Sequence, residues 1–136
     1  MVDRERAVPA SLAEYADQLR AFADERDWHP FHTPKNLAMA LAGEAGELLA
    51  EFQWLTPEES AQVMADPVAG ARVRAEMADV LSYLVRLADV LGIDLLAAAS
   101  EKMVEVARRY PVPTDRVWTD PVPTDPASTD PSVTDG

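Results

Sequence analysis

Two stretches decide the fold: LAGEAGELLAEFQW, residues 41–54, and EMADVLSYLVRLADVL, residues 76–91. In both stretches the apolar side chains recur three and four residues apart, which is the spacing of one face of an α-helix. Neither stretch shows the alternation of polar and apolar residues that is typical of a half-buried strand. No other part of the chain shows that alternation, so we predict an all-α protein without a sheet.

Two pairs of carboxylates lie at the edges of these apolar faces. At 100° per residue, Glu47 lies about 60° from Glu44, and Asp79 lies about 60° from Glu76. The predicted apolar faces contain Leu41, Ala45, Leu48 and Phe52 on the first helix, and Val80, Leu84, Leu87 and Leu91 on the second. Packing of the two faces would bring the four carboxylates together.

Like charges at such a distance repel, and a divalent cation removes that repulsion. Oxygen ligands suit Mg²⁺, with Mn²⁺ as the second possibility. The pattern therefore predicts a metal site that contains Glu44, Glu47, Glu76 and Asp79. The alternative is that both pairs are ordinary surface charge, which a chain with 24 acidic residues can place anywhere.

Capping signals divide the rest of the body into helices. Ser11 with Glu14 and Thr56 with Glu59 form the sequence pattern of a capping box, and Thr33 precedes a proline at a first helical position. We predict a bundle of four main helices and one short connecting helix, over about residues 11–27, 33–54, 56–66, 68–91 and 94–110. Gly92 is the expected C-cap of the fourth of these.

The chain divides into a domain, residues 1–111, and an acidic tail, residues 112–136. Thr-Asp recurs every five residues in the tail, and six of the eleven prolines lie between Pro111 and Pro131. Prolines this dense sustain neither a helix nor a central strand, so we predict a disordered tail. A short binding motif around Trp118 is the alternative to a solvated appendage.

Composition excludes several classes of protein. The 136 residues include no cysteine, which excludes disulfides and zinc–thiolate sites. The net charge of −12 argues against binding to a nucleic-acid polymer. No apolar run is long enough to span a membrane, and we expect a cytoplasmic protein. The sequence contains neither a GxxxxGK[ST] loop nor an HExxH pair.

Aromatic and basic side chains supply candidate nucleotide contacts. Trp28 and His32 precede the first carboxylate helix, and Trp54 ends it. Flat rings of this kind stack on nucleobases. The alternative is core or interface packing for the tryptophans and solvation for the histidine. Lys102 lies on the apolar face of the last helix, with Arg109 nearby on the same face. Either Lys102 extends to water or it meets an anion such as phosphate.

These residues together resemble the MazG-like nucleoside triphosphate pyrophosphohydrolases, and most closely their single-domain branch, which includes the dCTP pyrophosphatases. The stretches that carry the resemblance are RDWHPFHTPKNLAMALAGEAGELLAEFQW, EMADVLSYLVRLADVLGIDL and EKMVEVARRYP. The metal pattern of the family, ExxE followed by ExxD, reads here as Glu44 to Glu47 and Glu76 to Asp79. The resemblance extends over about residues 12–111.

The resemblance implies an activity and a site. The four carboxylates would hold Mg²⁺, and a nucleoside triphosphate would be cleaved between its α- and β-phosphates to the monophosphate and pyrophosphate, in the service of nucleotide-pool cleansing. Trp28, His32, Trp54 and Tyr83 match positions that shape the nucleotide pocket, and Lys102 matches a lysine that faces phosphate. A dimer or tetramer with pockets near the subunit interfaces is implied as well. The sequence leaves open which carboxylate, Glu47 among them, activates water.

One residue departs from the family pattern. The last helix of the family carries an asparagine where this chain has Val106, and valine has no hydrogen-bonding groups. The runner-up hypothesis is therefore a catalytically weak, nucleotide-binding helical oligomer of the same fold. A second rival is an oligomerisation module whose acidic tail recruits a basic partner. The preferred base and sugar are left open.

Overall fold

The computed structural model describes residues 7–114. Within this range the helices are α1 (Leu12–Asp24), α2 (Pro34–Ala50), α3 (Pro57–Ala61), α4 (Pro67–Leu91) and α5 (Leu95–Arg109), with 3₁₀ turns at His29–Phe31 and Val63–Ala65. The described residues include no strand, which confirms the predicted all-α class. None of their helices has the length and apolarity that crossing a membrane requires.

Most of the predicted caps are present. The Thr56 hydroxyl accepts from the Glu59 N–H, and the Glu59 carboxylate accepts from the Thr56 N–H, so this capping box is complete. Gly92 ends α4 with a φ of 67°, a left-handed conformation that glycine adopts without strain. Before α1, Ser11 accepts from the Glu14 N–H as predicted. The Glu14 carboxylate, however, bonds the N–H of Ala10 at 2.7 Å, one residue earlier than a capping box requires.

Helix α2 ends at Ala50, four residues before the predicted end at Trp54. Beyond Ala50 most backbone bonds join residues three apart: the Phe52 N–H donates to the Leu49 carbonyl at 3.0 Å, and the Leu55 N–H donates to the Phe52 carbonyl at 2.9 Å, while the Gln53 N–H still donates to the Leu49 carbonyl at 2.9 Å. These contacts between residues three apart tighten the chain into turns. Trp54 consequently leaves the helix and is 86% exposed.

Helices α2 and α4 pack against each other and run antiparallel. Arg72, near the start of α4, donates to Glu51 at 2.9 Å, just after the end of α2. Arg86, near the end of α4, donates to His32 at 3.2 Å, just before the start of α2. Because residue numbers rise along one helix as they fall along the other, the middle of α2 lies opposite the middle of α4.

The distal half of α4 packs against α1 as well. The hydroxyls of Tyr15 and Ser82 lie 2.5 Å apart, and Arg20 forms an ion pair with Asp89. Ser82, Val85 and Asp89 are spaced as one helical face, and Val85 is buried on it. Helix α1 therefore runs parallel to α4 along a face that the sequence did not identify as apolar.

This second packing face corrects the predicted core of α4. Leu84 and Leu91 were expected in the apolar face, yet they are 37% and 51% exposed. Val85 and Ala88 are buried instead, since α1 covers the opposite side of the helix. The buried apolar residues among those described are Ala23, Leu37, Val73, Val85 and Ala88.

The tail prediction falls almost entirely outside the described residues. Residues 112–114 follow α5 without helical structure, and residues 115–136, which include Trp118, lie beyond them. The division of the chain at residue 112 and the disorder of the tail stay predictions.

Candidate metal centre and nucleotide site

Three of the four predicted ligands meet between α2 and α4. Glu44, Glu47 and Glu76 each place a carboxylate oxygen within 4.8 Å of the others. Glu44 and Glu47 are one turn apart on α2, and the antiparallel packing brings Glu76 of α4 across from them. Glu44 and Glu76 are half-buried and Glu47 is exposed. We call these three residues the carboxylate cluster.

Mutual repulsion and partial burial disfavour the charged form of this cluster. Loss of solvent raises the pKa of Glu44, and the charges of Glu47 and Asp79 raise it further. Loss of solvent also raises the pKa of Glu76, reinforced by the charges of Glu47, Glu44, Asp79 and Glu51. Both shifts have the direction expected for carboxylates that lose water and lie beside like charges.

One oxygen atom of the carboxylate cluster is buried without a hydrogen-bond partner in the described part of the chain, which favours binding of a metal ion beside it. The Glu76 Oε2 atom is buried, and it has no hydrogen-bond partner among the described residues. A buried carboxylate oxygen without a donor is costly, because it has lost water and gained nothing in return. With two further carboxylates beside it, the donor set is all oxygen and negatively charged, which fits Mg²⁺ or Mn²⁺.

Two further acidic residues, Asp79 and Glu51, lie close to the carboxylate cluster, and they differ in whether a basic side chain is seen to bond them. Asp79 is not among the three residues whose oxygens meet, but its charge raises the pKa of both Glu44 and Glu76, so it lies close to them. Glu51 instead accepts from the Arg72 guanidinium at 2.9 Å. Glu51 therefore has a cationic partner within the chain, although its charge still contributes to the raised pKa of Glu76. The role of Asp79 as a ligand stays a prediction.

Aromatic side chains gather at the start of α2. The rings of Trp28 and His32 lie edge to face with their centroids 5.8 Å apart, and the ring of Phe22 meets Trp28 in the same way at 5.6 Å. Trp28 is 41% exposed and so keeps part of its surface for a ligand. The structure thus brings together two of the four side chains predicted to shape the nucleotide pocket.

Sequence reasoning missed Arg86, which lies directly behind this group. Arg86 is 4% exposed, and its Nε–H donates to Nδ1 of His32 at 3.2 Å. The sequence does show Arg86 in the middle of an apolar helix, followed three residues later by an acidic residue, Asp89. That pattern is typical of an ion pair within a helix, and nothing in it pointed to His32.

The metal and aromatic groups share one edge of α4. At 100° per residue, Glu76, Asp79, Tyr83 and Arg86 fall within about 80° of each other. From Glu76 to Arg86 the helix rises about 15 Å. Tyr83, which is half-buried, lies between the carboxylate cluster and the pair of Trp28 and His32. The edge is therefore acidic at one end and aromatic at the other.

Trp54 lies far from the aromatic end of this edge. Trp54 follows the far end of α2, and the 17 residues of that helix span about 25 Å from the end where Trp28 and His32 lie. Lys102 and Arg109 are exposed on α5, where Arg109 donates to Glu105 at 2.8 Å. Phosphate binding by these two residues stays a prediction.

A cavity lies elsewhere in the molecule. Its volume is about 570 Å³, and α1, the end of α4 and the start of α5 line it. Arg20 and Asp89 form part of its wall, but none of the predicted metal or nucleotide residues does. The candidate site is accordingly the open edge of α4 and not this cavity.

The all-α fold, with carboxylates that meet between two helices and aromatic rings at one end, agrees with the resemblance that the motifs predict. The sequence pattern of the MazG-like family matches residues 40–119. The chain belongs to the MazG-like family, which confirms the resemblance predicted from the motifs.

Similar proteins place it within that family. The chain is 46% identical to dCTP pyrophosphatase 1 of Bos taurus over 95 residues, which are 70% of this chain and 56% of the relative. It is 45% identical to dCTP pyrophosphatase 1 of Mus musculus over 112 residues, which are 82% and 66% of the two chains. A pyrophosphatase structure from Archaeoglobus fulgidus shares the fold with a TM-score of 0.70 and 38% identity, covering 80% of this chain and all of that one.

The matched region spans little more than half the length of the curated bovine relative.

Proposed function

We propose that this protein is a Mg²⁺-dependent nucleoside triphosphate pyrophosphohydrolase, which cleaves between the α- and β-phosphates and releases the monophosphate and pyrophosphate. The observation that carries the proposal is the edge of α4, about 15 Å long, with carboxylates at one end and aromatic rings at the other. A triphosphate with its metal ion suits the acidic end and a base suits the aromatic end. The names of the dCTP pyrophosphatase relatives support the same class of substrate.

Glu44, Glu47 and Glu76 would hold the ion, with Asp79 as the fourth ligand. Mg²⁺ at this position would neutralise phosphate charge and lower the pKa of nearby water. Without a cation, three carboxylates would repel a triphosphate, so this acidic edge is expected to bind nucleotide only together with its metal. The metal requirement follows from the charge of the site.

The chain's own groups have distinct tasks along the edge. Glu47 is the exposed member of the carboxylate cluster, so its carboxylate is the one best placed to orient a water molecule and accept its proton. Trp28 presents a partly exposed ring to the base, and Tyr83 lies between base and phosphates on α4. The pairing of Glu51 with Arg72 removes it from this chemistry.

We also propose that the protein acts as a homo-oligomer, either a dimer or a tetramer. Many large apolar side chains are exposed in the single chain, among them Met39, Leu49, Met77, Leu91, Ile93, Leu96 and Met103. Apolar surface on this scale marks an interface in a soluble protein. Trp54 cannot reach the aromatic end of its own α2, so a second copy is the source from which it would join a nucleotide pocket.

The proposal is tested by product analysis. Purified protein is incubated with each common ribo- and deoxyribonucleoside triphosphate in millimolar Mg²⁺, and products are separated by ion-exchange chromatography. Equal amounts of monophosphate and pyrophosphate are expected from at least one substrate. Diphosphate with inorganic phosphate would contradict cleavage at the α–β position. Binding of nucleotide without any product would favour the catalytically weak binder instead.

A mixing experiment tests the shared pocket. Glu47→Gln and Trp54→Ala variants are each expected to be nearly inactive, for different reasons. If Trp54 acts in the pocket of a neighbouring copy, exchange of subunits between the two variants creates some sites with both residues intact, and part of the activity returns. A mixture no more active than its components, after subunit exchange is verified by mass spectrometry, would contradict a pocket shared between copies.

Val106→Asn is expected to raise kcat/KM or sharpen the preference among bases. Val106 is 40% exposed, so an amide at this position stays in contact with water and costs little stability. The substitution restores the donor and acceptor of the family asparagine. Steady-state kinetics over a panel of triphosphates, together with a thermal melt, checks this. A marked loss of stability with no kinetic gain would show that Val106 is a packing residue.

A further inference from the structure

We infer that Arg86 is a positioning residue of the nucleotide site: it holds His32 as a neutral imidazole that carries its proton on Nε2. The part of the inference that concerns nucleotide binding rests on the proposed function, whereas the state of the imidazole does not.

A buried arginine requires a reason. Among residues 7–114, Arg86 is the one charged residue that is buried; it is 4% exposed. Removing a guanidinium from water is costly, and a well-packed apolar residue commonly gives equal or greater stability. At a helix face that already packs against neighbours, stability alone would favour leucine or methionine. An arginine at this position is better explained by what its donors hold in place.

The guanidinium is fixed from the side opposite His32. Its NH1 group donates to Oδ2 of Asp89 at 2.7 Å, and Asp89 also accepts from Nε of Arg20 at 3.1 Å. Asp89 is thus bonded from both sides, and the bonds from Arg20 lead the influences that lower its pKa, with the charge of Arg86 contributing. The carboxylate therefore stays charged and anchors the planar guanidinium, which leaves Nε–H directed at His32.

The bond to His32 sets the proton position on the ring. The Nε–H of Arg86 donates to Nδ1 of His32 at 3.2 Å, so Nδ1 has to present a lone pair. In a neutral imidazole the proton then resides on Nε2. An imidazolium would place a second N–H against the guanidinium N–H and lose the bond. Contact with the Trp28 ring restrains the same imidazole from the other direction.

The surroundings oppose a positive charge on His32. Burial lowers its pKa, and the charges of Arg86 on α4 and His29 in the preceding turn lower it further. His29 itself is paired with Asp24. Asp89 lies behind Arg86 and is already shared between two arginines. His32 is consequently neutral at physiological pH.

The neutral Nε2–H of His32, at the aromatic end of the edge of α4, affects how a substrate is oriented. A charged imidazolium at the aromatic end would attract the triphosphate away from the carboxylate cluster and its metal. A neutral Nε2–H instead donates to an uncharged acceptor, such as a carbonyl or ring nitrogen of a base. Arg86 thereby supplies rigidity at the aromatic end without supplying exposed positive charge.

Nuclear magnetic resonance of the imidazole nitrogens tests the inference directly in the free protein. The chain has two histidines, so His29→Gln assigns the His32 signals. The wild type is expected to show a protonated Nε2 and an unprotonated Nδ1 on His32 at pH 7. Arg86→Met is expected to abolish this bias and raise the pH at which His32 titrates. A wild-type His32 that is protonated on Nδ1, or that titrates as a solvated histidine, would overturn the inference.

Arg20→Met is the matched control. It removes an arginine that binds the same Asp89 but does not touch His32, so it is expected to lower thermal stability while the His32 nitrogen signals stay as in the wild type. If both variants altered those signals equally, the effect would be one of stability and the positioning role would be wrong. Should Arg86→Met fail to fold, Arg86→Lys keeps a cation for Asp89 while lacking Nε–H, and it is expected to lose the tautomer bias as well.

Kinetics then connect the imidazole to the substrate. Arg86→Met is expected to raise KM for the preferred triphosphate about tenfold with a smaller change in kcat, because the carboxylate cluster is untouched. The acid limb of its kcat/KM profile should move to higher pH, as removal of a neighbouring positive charge raises the pKa of His32. An unchanged KM and profile would overturn the link to binding. If the wild type released pyrophosphate from no triphosphate, the proposed function would fail while the imidazole measurement still stood.

Discussion

Glu47→Gln is expected to reduce Mg²⁺-dependent pyrophosphate release by on the order of 100-fold or more, because it removes both a ligand charge and the exposed oxygen best placed to accept a proton. The helices should nevertheless stay folded. Glu47 is exposed, and its charge raises the pKa of Glu44 and Glu76 in the protein without metal. Loss of that repulsion should leave the melting temperature of the metal-free protein unchanged or higher.

Glu51→Gln is the control for this prediction. It makes the same chemical change near the end of the same helix, but Glu51 accepts a hydrogen bond from Arg72, and its oxygens are not among those that meet in the carboxylate cluster. Its activity should stay close to that of the wild type, and its melting temperature should fall slightly as the ion pair is lost. Asp79→Asn should behave like Glu47→Gln. Full activity in both Glu47→Gln and Asp79→Asn would contradict the metal assignment.

Millimolar Mg²⁺ is expected to raise the melting temperature of the wild type by several degrees. An ion that binds only the folded cluster stabilises it by about 2.7 kcal/mol when present at 100 times its dissociation constant. Part of this gain is relief of repulsion among Glu44, Glu47 and Glu76, and part is the new partner for the orphaned Glu76 oxygen.

Differential scanning calorimetry at fixed ionic strength checks the shift, with NaCl in place of MgCl₂ as the control for screening. Glu76→Gln should melt at the same temperature in both salts. An equal shift in the wild type and in Glu76→Gln would show that the ion acts elsewhere. No shift in the wild type, together with no heat of binding, would count against the site itself.

Helix identity and the carboxylate pairs were readable from the sequence because each depends on local rules. Spacing of apolar residues and the caps at Thr33, Thr56 and Gly92 act within a few residues, and the structure places them as predicted. The meeting of Glu44, Glu47 and Glu76 needed one further assumption, that the two apolar faces pack together. Helices α2 and α4 do pack against each other and the three carboxylates meet, although Leu84 and Leu91 of the predicted α4 face are exposed.

What the sequence did not reveal depends on contacts between distant residues. Periodicity describes one apolar face per helix, whereas α4 packs against α2 and α1 on different faces, so Val85 and Ala88 were missed in favour of Leu84 and Leu91. The bond from Arg86 to His32 joins residues 54 positions apart, and no local pattern predicts it. The bond from Arg72 to Glu51 likewise forms only when the two helices pack together. For that reason the sequence could not distinguish Glu51, which has this partner, from the other acidic residues of α2.

We propose that the carboxylates between α2 and α4 bind a divalent cation at the acidic end of a nucleotide site. Crystals grown with Mn²⁺ and a non-hydrolysable α,β-imido triphosphate, measured at the manganese absorption edge, test it most directly. An anomalous peak is expected at about 2.0–2.3 Å from oxygens of Glu44, Glu47 and Glu76, with the base beside Trp28 and His32. Bound nucleotide with no anomalous peak among these carboxylates, or with its phosphates at the aromatic end, would contradict it.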